Sequence, residues 1–144
     1  MSDGDYAPSP REYIARQVAD YERTGGVEGG ITVGAPCIIL TSRGARSGKV
    51  RKTPLVRVTD GRSYVVIGSH AGAPTDPAWV HNLRADADCR LQDGAVLLDY
   101  RARETEGADR ASWWALATSV WPAFDDYQAK AGRLIPLFVL EPKA

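Results

Sequence analysis

Apolar positions along the first half of the chain change their period twice. Between Arg11 and Thr24, Tyr13, Ile14, Val18 and Tyr21 recur at helical spacing and Gly25-Gly26 closes the run, which predicts a helix. APCIILTS (35–42) is continuously apolar, as a strand buried on both faces would be. VRKTPLVRV (50–58) alternates loosely, and SYVVIGS (63–69) is β-branched and strand-like. RSGK (46–49) and Asp60-Gly61 sit between these runs and read as hairpin tips.

Beyond Ser69 the pattern loosens into a glycine loop. Asp76 is then placed as an N-cap with Pro77 at the first helical position, opening a helix that puts Trp79, Asn82 and Leu83 on one side. CRLQ (89–92) and VLLDYRARET (96–105) flank Asp93-Gly94 as a further hairpin. Residues 108–121 repeat at helical spacing, Pro122 interrupts, and a short helix spans about 123–131. LIPLFVLEP (134–142) closes as a strand that Pro136 confines to an edge or a bulge. Six short strands, mostly in hairpins, with helices at the start, middle and late positions, predict an α+β fold built on a small antiparallel barrel. Residues 1–10 are polar with two prolines and read as a loose terminus, leaving 11–144 as one domain.

Composition narrows the function classes. Hydrophobic residues make up 44% and charged residues 25%, as in an average soluble protein, and 18 basic residues balance 18 acidic ones. Zero net charge argues against a general nucleic-acid or membrane-surface binder but leaves room for a local anion site. No secretory leader and no apolar run near the ~20 residues of a membrane span are seen, so a cytoplasmic location, at most peripheral to the cell membrane, is expected. Cys37 and Cys89 form no C-x-x-C pair and read as small buried hydrophobes.

Charge is nonetheless unevenly spread. Between Glu28 and Asp60 there is no acidic residue, while Arg43, Arg46, Lys49, Arg51, Lys52 and Arg57 fall in that window. The cations surround Ser47-Gly48, where backbone can approach a ligand, and the arginines suit forked contacts to phosphate or carboxylate. A lone charge run is usually a solvated hairpin; a small nucleic-acid module is another reading. The spacing fits neither a phosphate loop of nucleotide-binding proteins nor a G-x-G-x-x-G dinucleotide turn. GSHAGAPTDPAWVHNL (68–83) has His70 where a nucleophile elbow needs serine, and His81 lacks partners at metal-ligand spacing, so no metal site is expected. Trp121, Phe124 and Tyr127 share a helical face, either as core or as a lid over a flat ligand. An anion clamp, a glycine loop and an aromatic roof, without triad, carboxylate pair or metal set, suit a planar phosphorylated cofactor that performs the chemistry itself.

Three segments in this order, TSRGARSGKVRKTPL, VVIGSHAGAPTDPAWVHNL and DDYQAKAGRLIPLFVLEP, resemble the deazaflavin (coenzyme F420)-dependent nitroreductase and quinone reductase family of actinobacteria, over about Tyr13 to Pro142. The resemblance implies a split β-barrel like that of FMN-binding oxidoreductases. It implies coenzyme F420, a phosphorylated deazaflavin with a polyglutamate tail, and hydride transfer to a quinone-like or nitro-aromatic acceptor. Transferred by position, the coenzyme site falls on Arg46, Ser47, Arg51, Lys52, Thr53, Pro54, Leu55 and Val56. It continues on Ile67, Gly68, Ser69 and His70, then on Ala78, Trp79, Val80, His81 and Asn82. Ser69 and Tyr127 are the catalytic candidates, and Trp121, Phe124 and Tyr127 the acceptor-binding ones. Two departures stand out: His70 replaces the Asn or Lys of well-known members, and Trp121-Phe124-Tyr127 replaces three tyrosines of nitro-drug-activating ones. Both favour a quinone over bulky nitro compounds. An FMN enzyme on the same barrel and a non-catalytic F420 carrier are the alternatives.

Overall fold

The structure is a computed structural model that describes residues 4–143. Part of the expected loose terminus, residues 1–3, lies outside the described residues. The elements in order are α1 (Glu12–Thr24), β1 (Ile31–Thr32), β2 (Ala35–Arg43), β3 (Val50–Val56), β4 (Tyr64–Ile67) and a 3-10 turn at His70–Gly72. They continue with α2 (Ala78–Ala85), β5 (Asp88–Asp93), β6 (Val96–Glu104), α3 (Gly107–Val120), α4 (Ala123–Ala131) and β7 (Leu137–Pro142).

The alternation of β2 decides how layers assemble around it. Ile38 and Leu40 point into an inner core with Val66, Leu91, Phe138 and Leu140, into which α2 packs Trp79, Val80 and Leu83. Cys37 and Ile39 point the other way, under Val18 and Tyr21 of α1. The same two-residue period splits β4 and β7: Val65, Leu137 and Val139 form a second core with Ala117 of α3 and Phe124 and Ala131 of α4. One curled sheet therefore carries a helix layer on different parts of its outer surface. Both cysteines are buried and free.

The sheet runs β3-β2-β5-β6-β7-β4, antiparallel throughout, with β1 added to the start of β2. The Asp60-Gly61 turn exists, since the Asp60 carboxylate accepts the N–H groups of Arg62 (2.9 Å) and Ser63 (2.8 Å). The hairpin is short: Thr59 bridges Tyr64 and the Val65 N–H donates to Val58 O (2.9 Å), beyond which β3 pairs with β2 and β4 with β7. Pro54 in β3 has no N–H to donate, which suits an edge strand. The barrel is thus split between β3 and β4.

Two local expectations change. Asp76 does not cap α2; Pro77 holds the cap position in extended conformation, and no side chain caps the helix. The Asp76 carboxylate is taken by Arg133 (2.5 Å) and Arg84 (3.5 Å), and a two-arginine ion pair outcompetes a cap. The two-residue strand β1 is too short to show in the pattern. It pairs Ile31 with Pro36 and Thr32 with Ala35 around a turn of Val33 (φ 46°) and Gly34 (φ 87°). Residues 5–7 run beside β3: the Ala7 N–H donates to Val50 O (2.9 Å) and the Val50 N–H to Asp5 O (2.8 Å). Among the described residues no helix is long and apolar enough to cross a membrane.

Candidate functional site

The split between β3 and β4 opens into a cavity of about 570 Å³. Arg51 to Val56 of β3 form one wall, and Ile67, Ser69, His70 and Ala71 at the end of β4 form the next. The start of α2 (Pro77, Ala78, Trp79, Asn82) closes the inner end, and Phe124 reaches in from α4. The remaining side was not foreseen from sequence: Ser9 to Arg11, Tyr13 and Ile14, with Thr32 and Val33 of the β1–β2 turn. No local motif marks these residues, because their presence depends on α1 packing over β2 and β3.

Charge around this cavity is sorted by tertiary contacts. The acids missing from the sequence window arrive from elsewhere: Glu22 of α1 pairs with Lys52 (2.5 Å), Asp93 with Arg57 (2.9 Å) and Asp86 with Arg43 (3.9 Å). Lys52 also lies 4.7 Å over the Tyr6 ring. Burial, with Glu22 nearby, pushes the Tyr6 hydroxyl above its usual range. Arg51 in the wall, and Arg46 and Lys49 at the tip, have no ion pair among the described residues. The tip itself is ordered from within. Ser47 Oγ accepts the Lys49 N–H (3.1 Å), and the Gly44 N–H donates to Lys49 O (2.7 Å).

Asn82 is the hinge between that tip and α2. Its Oδ1 accepts the Ala45 N–H (2.9 Å) and its Nδ2 donates to Ser42 Oγ (3.3 Å). Gly68 explains how α2 comes so close to β4: a Cβ there would stand 2.8 Å from Val80 Cγ2. Val80 is fully buried behind the wall, and His81 points outward on α2. Arg46, Ser47, Gly68, Val80, His81, Trp121 and Tyr127 are thus near the cavity but outside its lining, whereas the other coenzyme-site candidates line it. Ser69 is buried and lines the cavity, and its hydroxyl makes no hydrogen bond to the described residues.

The aromatic face divides. Phe124 is 4% exposed and belongs to the second core while touching the cavity. Tyr127 stacks edge-on against it (6.1 Å between centroids), and its hydroxyl accepts the Trp121 indole N–H (3.4 Å). Left-handed backbone supplies an independent marker. Val33 (φ 46°), His70 (φ 47°) and Ala71 (φ 53°) are the non-glycine residues with positive φ among those described, and all three line this cavity. Such conformations cost roughly 1–3 kcal/mol each and persist where surrounding contacts over-determine them, as at ligand sites.

A sequence model of the F420H(2)-dependent quinone reductases matches residues 13–142, almost the whole chain. The chain belongs to this family. An F420H(2)-dependent quinone reductase of Mycobacterium tuberculosis is 31% identical over 126 residues, 85% of this chain and 85% of its own. A solved F420-H2-dependent reductase, FDR-A, is 41% identical with a TM-score of 0.69 over 78% of this chain and all of its own. A second solved structure, a domain-swapped dimer, is 38% identical with a TM-score of 0.72, covering 92% of this chain and all of its own. The family's fold is the split barrel, and the split is where the cavity of this quinone reductase family member lies.

Proposed function

We propose that this protein passes a hydride from reduced F420 to a quinone, with the coenzyme's anionic groups against the basic elbow and its ring against β3. The observation that carries this reading is the unpaired Arg51 in the cavity wall. A half-buried guanidinium without a carboxylate is costly unless an anion joins it, and phosphate or carboxylate takes its fork well. Arg46 and Lys49 extend the same positive field outward, toward the reach of a polyanionic tail. Beside Arg51 the wall turns apolar at Pro54, Leu55, Val56, Ile67 and Trp79, a surface suited to a flat ring. The residues present fit the group.

When bound, the reduced deazaflavin supplies the hydride. The chain's own residues orient and shield. Ser69 presents a hydroxyl able to hydrogen-bond a ring edge or a developing oxyanion. Phe124, Val33 and Ile14 provide apolar contact that keeps water from the acceptor. Of the two catalytic candidates, Ser69 faces the cavity; we assign Tyr127, behind Phe124, the work of holding Phe124 and Trp121. The acceptor is assigned as a quinone because the matching family and its curated relatives are F420H(2)-dependent quinone reductases.

Side-by-side titration with F420, FMN and NADP, followed by turnover with a soluble quinone, tests the reading. F420 binds at least about tenfold tighter than FMN, since the elbow offers more cations than one phosphate needs. Equal affinities defeat the assignment, and tight F420 binding without quinone-dependent oxidation leaves a carrier.

A further inference from the structure

The loop that carries Ser69 and His70 has three consecutive residues in left-handed conformation: His70 (φ 47°), Ala71 (φ 53°) and Gly72 (φ 82°). Two of them are not glycine, so the chain does not hold this shape by local preference. Its own hydrogen bonds are few: the Gly72 N–H donates to Ser69 O (2.9 Å) and the Ala73 N–H to His70 O (3.1 Å).

The turn packs at Gly72 against Tyr127 and Lys130 of α4, and its remaining hydrogen bonds come from one side chain about 60 positions further along. Arg133 follows Gly132, whose left-handed backbone (φ 67°) ends α4 and turns the chain toward this loop. Its Nε donates to Ala73 O (3.1 Å), and Nη1 to Asp76 Oδ1 (2.5 Å). Nη2 points at three carbonyls, Gly68 O (3.1 Å), Ser69 O (3.2 Å) and Thr75 O (3.1 Å). The side chain is 16% exposed, and Asp76 is fixed in turn by Arg84. A rigid fork of five N–H groups can span both ends of a loop at once, whereas an ammonium is a single point.

We infer that Arg133 is a positioning residue that sets the shape of the 68–76 loop and, through it, the placement of Ser69 in the cavity. The catalytic consequence rests on the function proposed above; the structural one does not. The hydrogen bonds of Arg133 go to loop carbonyls and to Asp76, none of them a side chain that lines the cavity, so its effect on chemistry passes through the loop.

Hydrogen exchange read by mass spectrometry on the coenzyme-free protein tests the loop directly. In Arg133→Lys, peptides covering 68–76 exchange at least about tenfold faster, while those of β6 and β7 keep their rates. In turnover, Arg133→Lys lowers kcat about tenfold and leaves F420 affinity within about threefold, because the elbow is untouched. In a Ser69→Ala background the same substitution costs kcat nothing further, since what it positions is gone. Unchanged exchange in the loop, or fully additive losses in the double variant, overturns the inference. Should Arg133→Lys not fold, Asp76→Ala must accelerate the same peptides; wild-type rates there overturn it equally. Accelerated exchange in a protein with no F420-dependent quinone reduction keeps the Arg133 role in the loop and sinks the functional reading instead.

Discussion

Arg51 and Lys52 are neighbours in sequence with the same charge, yet the fold gives them different tasks. Lys52 is engaged by Glu22 and Tyr6, while Arg51 lines the cavity with no ion pair among the described residues. Arg51→Glu is therefore expected to weaken F420 binding by roughly 2–4 kcal/mol, from a lost charge-assisted contact and added repulsion. Calorimetry measures the loss, and a melting temperature close to wild type must accompany it; a collapsed melt makes Arg51 a structural residue. The cysteines illustrate the opposite case, groups withdrawn from chemistry. Burial pushes the Cys37 thiol up to about 11 and Cys89 up to about 12. The thiolate, which is the reactive form, is thereby suppressed near neutral pH, so alkylation of the native protein by iodoacetamide is expected to be slow at both sites. Rapid labelling seen by mass spectrometry under native conditions contradicts their burial. Reading both as small hydrophobes needed only their apolar neighbours, whereas the sorting of the elbow's cations could not be read. Its acids come from Glu22, Asp86 and Asp93, which only the fold brings near.

Elements were legible where their period was long or their turn chemistry strong. The α1 helix, β2, the Asp93-Gly94 hairpin and both late helices lie within a residue or two of expectation. The two-residue β1 escaped because no period fits so short a run, and the Asp76 cap failed because tertiary ion pairs claimed the carboxylate. What attaches α1 is equally invisible in sequence, and it rests heavily on one hydroxyl. Tyr21 is 2% exposed; its OH donates to Cys37 O (3.1 Å) and accepts the Gly94 N–H (2.8 Å), joining α1 to β2 and to the β5–β6 turn. Tyr21→Phe leaves both backbone groups without that partner, at a cost of about 1–3 kcal/mol. Thermal denaturation is expected to show a drop of several degrees. Because α1 forms a cavity wall through Tyr13 and Ile14, quinone KM is expected to rise with it. A melt indistinguishable from wild type denies the hydroxyl its role.

At the scale of the whole molecule, the barrel class followed from short strands joined by turns, but the location of the site followed from topology. The hairpin expected at Asp60-Gly61 forms only next to its turn, and where β3 and β4 part beyond it the cavity opens. Around it, Trp121 at the end of α3 and the helix α4 lie against the two left-handed lips. A Cβ on Gly34, beside Val33, would stand 3.8 Å from the Trp121 ring, and one on Gly72 would stand 3.2 Å from Tyr127 O. Phe124, between these two contacts, enters the cavity itself. Trp121 and α4 thus brace these lips, the part of the cavity that the proposed function gives to the acceptor. Removing the brace at Trp121 should loosen the Val33 lip without disturbing the elbow. Trp121→Ala is expected to raise the quinone KM about fivefold or more, with kcat and F420 affinity within about twofold. The partly buried ring also packs on the second core, so a modest fall in melting temperature is expected too. Steady-state kinetics at saturating F420, set beside a coenzyme titration, separates the two effects. If coenzyme affinity falls as far as quinone KM rises, Trp121 supports the whole cavity rather than its acceptor end, and the division of the site into a basic half and a braced half must be abandoned.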